Sequence, residues 1–266
     1  MPAIGVRAHD LGSMGAESLG RAAAAQGFAI LQLAPAKVLP DCPPLPEPMD
    51  AEWAAGVRRS LGLSGVRVAV LGCYVDVCGP DDERRELAVR RLSHNLSLAA
   101  AFGSPVVATE TPLSGGDARE CLGRLREELG RLLPEAEAAR VALCVEPVMG
   151  HAVSTPRAMR DLADELASPA LGVILDPVNL VDPGSRADPC GPALEAVEIL
   201  GGLIKAVHVK DFVVEGGEKR VARIGSGYMD WSRVVPLIAA AAPGAPFIIE
   251  DQDSEGRAAG LKLLSS

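Results

Sequence analysis

The chain has 266 residues, 48% of them hydrophobic and 23% charged. That is close to the roughly 250 residues of one β/α barrel and enough to bury a sizeable core. Aromatic residues make up only 3%, so such a core must rest on Ala, Val, Leu and Ile. The formal net charge of −9 argues against a nucleic-acid partner, which needs a basic face, and no apolar run is long enough for a membrane helix.

Eight short apolar or β-branched runs alternate with stretches rich in Ala, Leu, Arg and Glu. The runs cover residues 4–7, 28–33, 66–72, 105–110, 142–146, 171–176, 205–210 and 246–250. Their near-continuous apolar character predicts parallel strands covered on both faces. Between them, 49–61, 81–102, 117–133, 155–167 and 230–241 read as helices. Pro80 and Asp81 open the second of these and Gly103 closes it; Ser154-Thr155-Pro156 opens the fourth. Residues 42–48 read as a stiff proline-rich loop after the second strand, and 183–192 as a Gly/Pro-rich loop after the sixth. Eight strand–helix repeats predict a single-domain α/β fold, a (β/α)₈ TIM barrel spanning 1–266. The rival, a doubly wound open sheet, lacks its usual G-x-G-x-x-G after the first strand. Cys42, Cys73, Cys78, Cys121, Cys144 and Cys190 include no C-x-x-C pair and read as reduced thiols. With no basic-then-apolar leader before Arg7, His9 and Asp10, the expected location is cytoplasmic.

Four strands of the second half finish on side chains that can hold a metal: Glu146, Asp176, His208 and Glu250. Parallel barrel strands all end on one face, so these distant residues are expected to converge. Three carboxylates and an imidazole suit Mn²⁺, Mg²⁺, Co²⁺ or Zn²⁺ with open coordination positions. Taken singly, each carboxylate could instead cap a helix, and His208 could be a core histidine. Sequences such as Ile248-Ile249-Glu250 nonetheless push charge out of buried strands, which is costly unless the charge is paired or metal-bound.

Further candidates, for contact with substrate, lie at the same rim. They are His9 after the first strand, Glu110 after the fourth, His151, Asn179, Lys210, and Arg223 beside Gly225-Ser226-Gly227. Glu110 could instead cap the loop toward Gly115-Gly116, Lys210 could pair with a neighbouring carboxylate, and the glycine loop could be a plain tight turn. Otherwise that loop would offer backbone amides and a guanidinium to phosphate or hydroxyl groups. Strand alternation puts His208 and Lys210 on one face and Asp211 on the other.

Several segments resemble the xylose isomerase-like barrel superfamily, in particular its sugar phosphate isomerase/epimerase family. They are Leu71-Gly72-Cys73-Tyr74, Ala108-Thr109-Glu110-Thr111, Val145-Glu146-Pro147, Leu175-Asp176-Pro177-Val178-Asn179-Leu180, Val207-His208-Val209-Lys210-Asp211, Gly225-Ser226-Gly227-Tyr228-Met229-Asp230-Trp231 and Ile249-Glu250. The resemblance implies one divalent cation, Mn²⁺ foremost, held by Glu146, Asp176, His208 and Glu250. It also implies that Glu146 and Glu250 form the acid/base pair of an isomerase or epimerase. A histidine often follows the sixth-strand aspartate in the family; this chain has Asn179 there. The superfamily also holds inosose dehydratases, hydroxypyruvate isomerases and endonuclease IV, so membership does not fix the reaction. The expected activity is isomerisation or epimerisation of a small sugar, sugar phosphate or polyol-derived ketone. A metal-dependent dehydratase and a non-catalytic sugar-binding barrel are the alternatives, and a homo-oligomer is left open. A trinuclear-zinc DNA-repair enzyme fits poorly with four histidines and this net charge.

Overall fold

Strands buried on both faces must be apolar at nearly every position, and the eight runs meet that demand. They form β1 (Ile4–Arg7), β2 (Ile30–Leu33), β3 (Arg67–Gly72), β4 (Val106–Thr109), β5 (Ala142–Val145), β6 (Leu171–Leu175) and β7 (Ile204–Val209). After β7 the chain turns through a hairpin of β8 (Asp211–Glu215) and β9 (Glu218–Ala222) before β10 (Phe247–Ile249) completes the set. In this computed structural model, which describes residues 2–43, 49–113, 117–185 and 188–265, the eight strands pair in parallel and close in the order β1-β10-β7-β6-β5-β4-β3-β2. The fold is the expected single (β/α)₈ barrel.

Strand alternation decides what stands at the mouth. Val70, Ala108, Cys144, Ile174 and Ala206 form one buried cluster with Val106, and Ile30 and Ile248 belong to another with Ala69. A Cβ added to Gly5 would press on Ile248 and the Ile30 backbone, which places Gly5 in the same interior layer. Two residues further along each strand, on the same face, come Arg7, Gln32, Gly72, Glu110, Glu146, Asp176, His208 and Glu250. An apolar plug thus fills the ring, and the next layer up is polar.

Around the ring pack the helices α1 (Ala16–Ala25), α2 (Pro35–Val38), α3 (Ala51–Gly62), α4 (Asp82–Phe102), α5 (Ala118–Ala139), α6 (Pro156–Leu166), α7 (Gly191–Leu200), α8 (Trp231–Ala241) and α9 (Ser254–Leu264). Side-chain caps start six of them as local chemistry dictates: Asp50, Asp81, Asp117, Thr155, Asp230 and Asp253 each accept a backbone N–H of the first turn. Two boundaries differ from expectation. Helix α5 runs through Pro134 to Ala139, because Leu129, Leu132, Leu133 and Ala136 are buried and their packing outweighs one lost backbone bond. The hairpin was not expected; Gly216 and Gly217, both at positive φ, form its two-residue turn. Residues 44–48 of the proline-rich loop and 186–187 of the loop before α7 lie outside the described residues, as do Gly115 and Gly116. All six cysteines are free thiols.

Candidate metal centre

Glu146 and Asp176 stand one residue beyond β5 and β6, His208 on β7 and Glu250 one residue beyond β10, all four buried. His208 Nδ1 lies 3.4 Å from Glu146 Oε2, 3.9 Å from Asp176 Oδ2 and 3.5 Å from Glu250 Oε2. One ligand atom each of Glu146, Asp176 and His208 falls within 4.8 Å of the others. Glu250 faces the same imidazole, but its carboxylate is also held from two sides. Arg7 Nη1 donates to Oε2 at 3.2 Å and Lys210 Nζ to Oε1 at 2.8 Å.

The other contacts leave specific atoms facing the centre. Asp176 Oδ1 accepts the Val178 and Asn179 amides at 2.9 and 3.1 Å, which turns Oδ2 inward. Lys210 Nζ sits 2.7 Å from Oδ2 as an ion pair. Asn179 Nδ2 donates to Glu146 Oε1 at 2.7 Å, leaving Oε2 toward His208. His208 Nδ1 is buried and has no hydrogen-bond partner. One imidazole nitrogen without a hydrogen bond and two carboxylate oxygens, one of them ion-paired with Lys210, lie together and form a hard-to-borderline donor set that fits a divalent cation.

Charge balance explains how the cluster tolerates burial. Burial raises the Asp176 carboxyl to about 6, with Lys210 opposing and Glu250 and Glu146 reinforcing. Burial works against charging His208, yet Glu250, Glu146 and Asp176 outweigh it and raise the imidazole to about 9. Burial pushes Glu250 up, but His208, Lys210 and Arg7 together hold it far below the usual carboxylate range. Burial likewise disfavours charged Lys210, and Asp176 and Glu250 reverse that. Three carboxylates therefore face three cationic groups, Arg7, Lys210 and protonated His208.

The family described as xylose isomerase-like TIM barrel matches residues 20–266. The chain belongs to that family. A magnesium complex of a xylose isomerase-like TIM barrel protein from Mycobacterium smegmatis is similar over 100% of this chain and 97% of its own, with TM-score 0.75 and 16% identity. D-psicose 3-epimerase from Clostridium cellulolyticum H10, solved with D-tagatose, is similar over 99% and 98%, with TM-score 0.77 and 14% identity. At these identities the likeness is one of fold. A curated relative, the probable endonuclease 4 of Acholeplasma laidlawii (strain PG-8A), is 24% identical over 205 residues, 72% of this chain and 69% of its own length.

Within this xylose isomerase-like barrel, most rim candidates gather near the cluster. Glu110, half-buried beyond β4, is raised by burial and by Glu146. The loop toward Gly115-Gly116, which it could instead cap, lies outside the described residues. His151, in the turn after β5, is lowered by burial and opposed by Glu146; its Nδ1 has no hydrogen bond. His9, in the turn after β1, is lowered by burial and by Arg7, and its Nδ1 is also unbonded. Lys210 takes the ion-paired alternative, on the same side as His208.

Arg223 is the exception. It is exposed and pairs with Glu255 on α9, and no contact joins it to the cluster. Its glycine loop does not offer amides to a ligand either. Asp211 Oδ2 accepts Gly225 N and Gly227 N at 3.0 and 3.1 Å, and Oδ1 accepts Phe212 N and Met229 N at 2.9 and 3.1 Å. A Cβ at Gly227 would collide with that carboxylate, so glycine is required there for close approach. The chain's own anion occupies the place expected for a phosphate or hydroxyl.

Two residues at the centre, Arg7 and Gln32, escaped the sequence reading, and Tyr74 entered it only within the Leu71–Tyr74 segment. Arg7 pairs with Asp10 at 2.7 Å and also with Asp251 and Glu250. Gln32 interrupts the apolar run of β2, and that interruption was the available signal. Tyr74 lies two residues past Gly72, so its facing depended on the register of β3.

Proposed function

We propose that the protein is a divalent-metal-dependent isomerase or epimerase acting on a small sugar, sugar phosphate or polyol-derived ketone through an enediolate. The observation that supports this most is His208 Nδ1, buried without a hydrogen bond and facing Glu146 Oε2 and Asp176 Oδ2. Glu146, Asp176, His208 and Glu250 would hold the cation; Mn²⁺ is the foremost choice, with Mg²⁺, Co²⁺ or Zn²⁺ as alternatives. When bound, it supplies Lewis-acid polarisation of a hydroxyketone.

The protein's own groups do the rest. Strands β5 and β10 are separated around the ring by β6 and β7. Glu146 and Glu250 therefore approach the centre from different sides, as removal and return of a proton on opposite faces requires. Asn179 holds Glu146 by one oxygen and leaves the other free to take the proton. Lys210, ion-paired with Asp176 and Glu250, would hold those carboxylates in place, and His9, Glu110 and His151 would contact hydroxyl groups at the mouth. Exchanging Glu146→Gln or Glu250→Gln should cut kcat at least ~10²-fold with the fold intact. Near-wild-type turnover in either variant refutes the assignment. Solvent-proton exchange into a panel of ketoses in D₂O reads the enediolate step directly.

One observation favours a second reading. Both Glu250 oxygens are engaged, by Arg7 and Lys210, an arrangement that suits a stabilising role better than a travelling proton. A metal-dependent dehydration needs only one mobile base, Glu146. Product analysis with an inosose against a ketose separates the two. The substrate is a small molecule in both readings. Nucleic acid is disfavoured by the net charge of −9, and a nuclease assay on abasic duplex DNA tests that.

A further inference from the structure

Two polar side chains beneath the cluster have no part in the chemistry proposed above. Gln32 is 1% exposed on β2, just past a register shift between Leu31 and Gln32. A buried amide is costly unless both of its ends are bonded, and here both are. Gln32 Oε1 lies 2.8 Å from His208 Nε2, and Gln32 Nε2 donates to Tyr74 Oη. The Tyr74 ring is itself fixed, packed on Gly72 below and with Lys37 Nζ 4.7 Å from its centroid.

An amide oxygen can only accept, so His208 Nε2 must carry the hydrogen in this arrangement. In neutral imidazole the lone pair then falls on Nδ1, the atom that has no protein hydrogen bond and faces Glu146, Asp176 and Glu250. Were the amide reversed, Tyr74 would donate to Oε1 and Gln32 Nε2 to His208 Nε2. The hydrogen would then move to Nδ1 and block a cation. We infer that Gln32, braced by Tyr74, is a positioning residue that fixes the His208 tautomer and so keeps Nδ1 open as a cation ligand. This rests on the cation site proposed above.

The test is direct titration of cation-free protein with Mn²⁺ alone, by calorimetry, with far-UV circular dichroism to check the fold. Gln32→Leu should bind Mn²⁺ about 10- to 100-fold more weakly, as removal of a partner behind a ligating histidine does. Tyr74→Phe should lose about 2- to 10-fold, one neutral hydrogen bond. Gln32→Glu separates this role from mere packing. A carboxylate can only accept, so it enforces the same tautomer and should keep affinity within about threefold of wild type or tighten it. Equal affinity in wild type and Q32L, or an equal loss in Q32E and Q32L, overturns the proposal. Should Q32L fail to fold, Gln32→Met takes its place. If the wild type binds no Mn²⁺, the cation reading itself fails. The relay is then judged separately by the ¹⁵N shifts of His208 at pH 10, where a protonated Nδ1 overturns it.

Discussion

Asn179 is the side chain through which one residue controls another at the centre. Its amide donates to Glu146 Oε1, while its backbone N–H donates to Asp176 Oδ1. Asn179→Ala should leave the backbone contact but free the Glu146 carboxylate, lowering kcat/KM about 10- to 100-fold with an unchanged melting temperature. His208 carries a pH signature. Its folded value, about 9, lies above the ordinary 6.5. The protonated imidazole therefore stabilises the cation-free fold fully below pH 6.5, and that contribution is lost as pH rises through about 9. Urea unfolding of cation-free protein should show a decline on the order of 3 kcal/mol across that window. Saturating Mn²⁺, which takes the proton's place, should flatten it. The four strand-terminal residues were legible because a charge ending an apolar run stands out. Gln32 was not, although it interrupts the apolar run of β2, because the partners that give its amide a role, His208 and Tyr74, come from β7 and from just past β3.

At the scale of elements, the hairpin β8–β9 is the part least expected from the sequence and the most consequential for the rim. Lys219 on β9 donates to the Val178 and Val181 carbonyls at 2.7 and 3.0 Å, clamping the turn that carries Asn179. The base of the hairpin is locked by the four amides on Asp211. Asp211→Ala should leave those amides without their acceptor and destabilise the protein on the order of 3 kcal/mol. Hydrogen exchange should quicken first at Gly225, Gly227 and Met229; unchanged exchange there would mean the carboxylate is dispensable. The strand–turn alternation from Val213 through Gly216-Gly217 to Val221 was present to be read. It was masked by the stronger pattern of parallel strands on either side, in which a strand is followed by a helix.

For the whole molecule, the barrel was readable because eight apolar runs recur at barrel spacing without the glycine fingerprint of a doubly wound open sheet. Its polar layer holds three carboxylates against Arg7, Lys210 and a protonated His208, so the fold should survive without a metal. Chelation by EDTA should therefore abolish turnover while leaving a folded protein. Restoring Mn²⁺ at 100-fold over its dissociation constant should then raise stability by about 2.7 kcal/mol, read as a higher melting temperature. A closed ring presents no unpaired strand to solvent. Among the described residues, only the hairpin offers backbone edges onto which another chain could add a strand, and near its base β9 carries an exposed Val221. The charges of Glu218, Lys219 and Arg220 along β9 are what discourage such templating. A variant that neutralised them would turn the arm that steadies the site into a point of self-association.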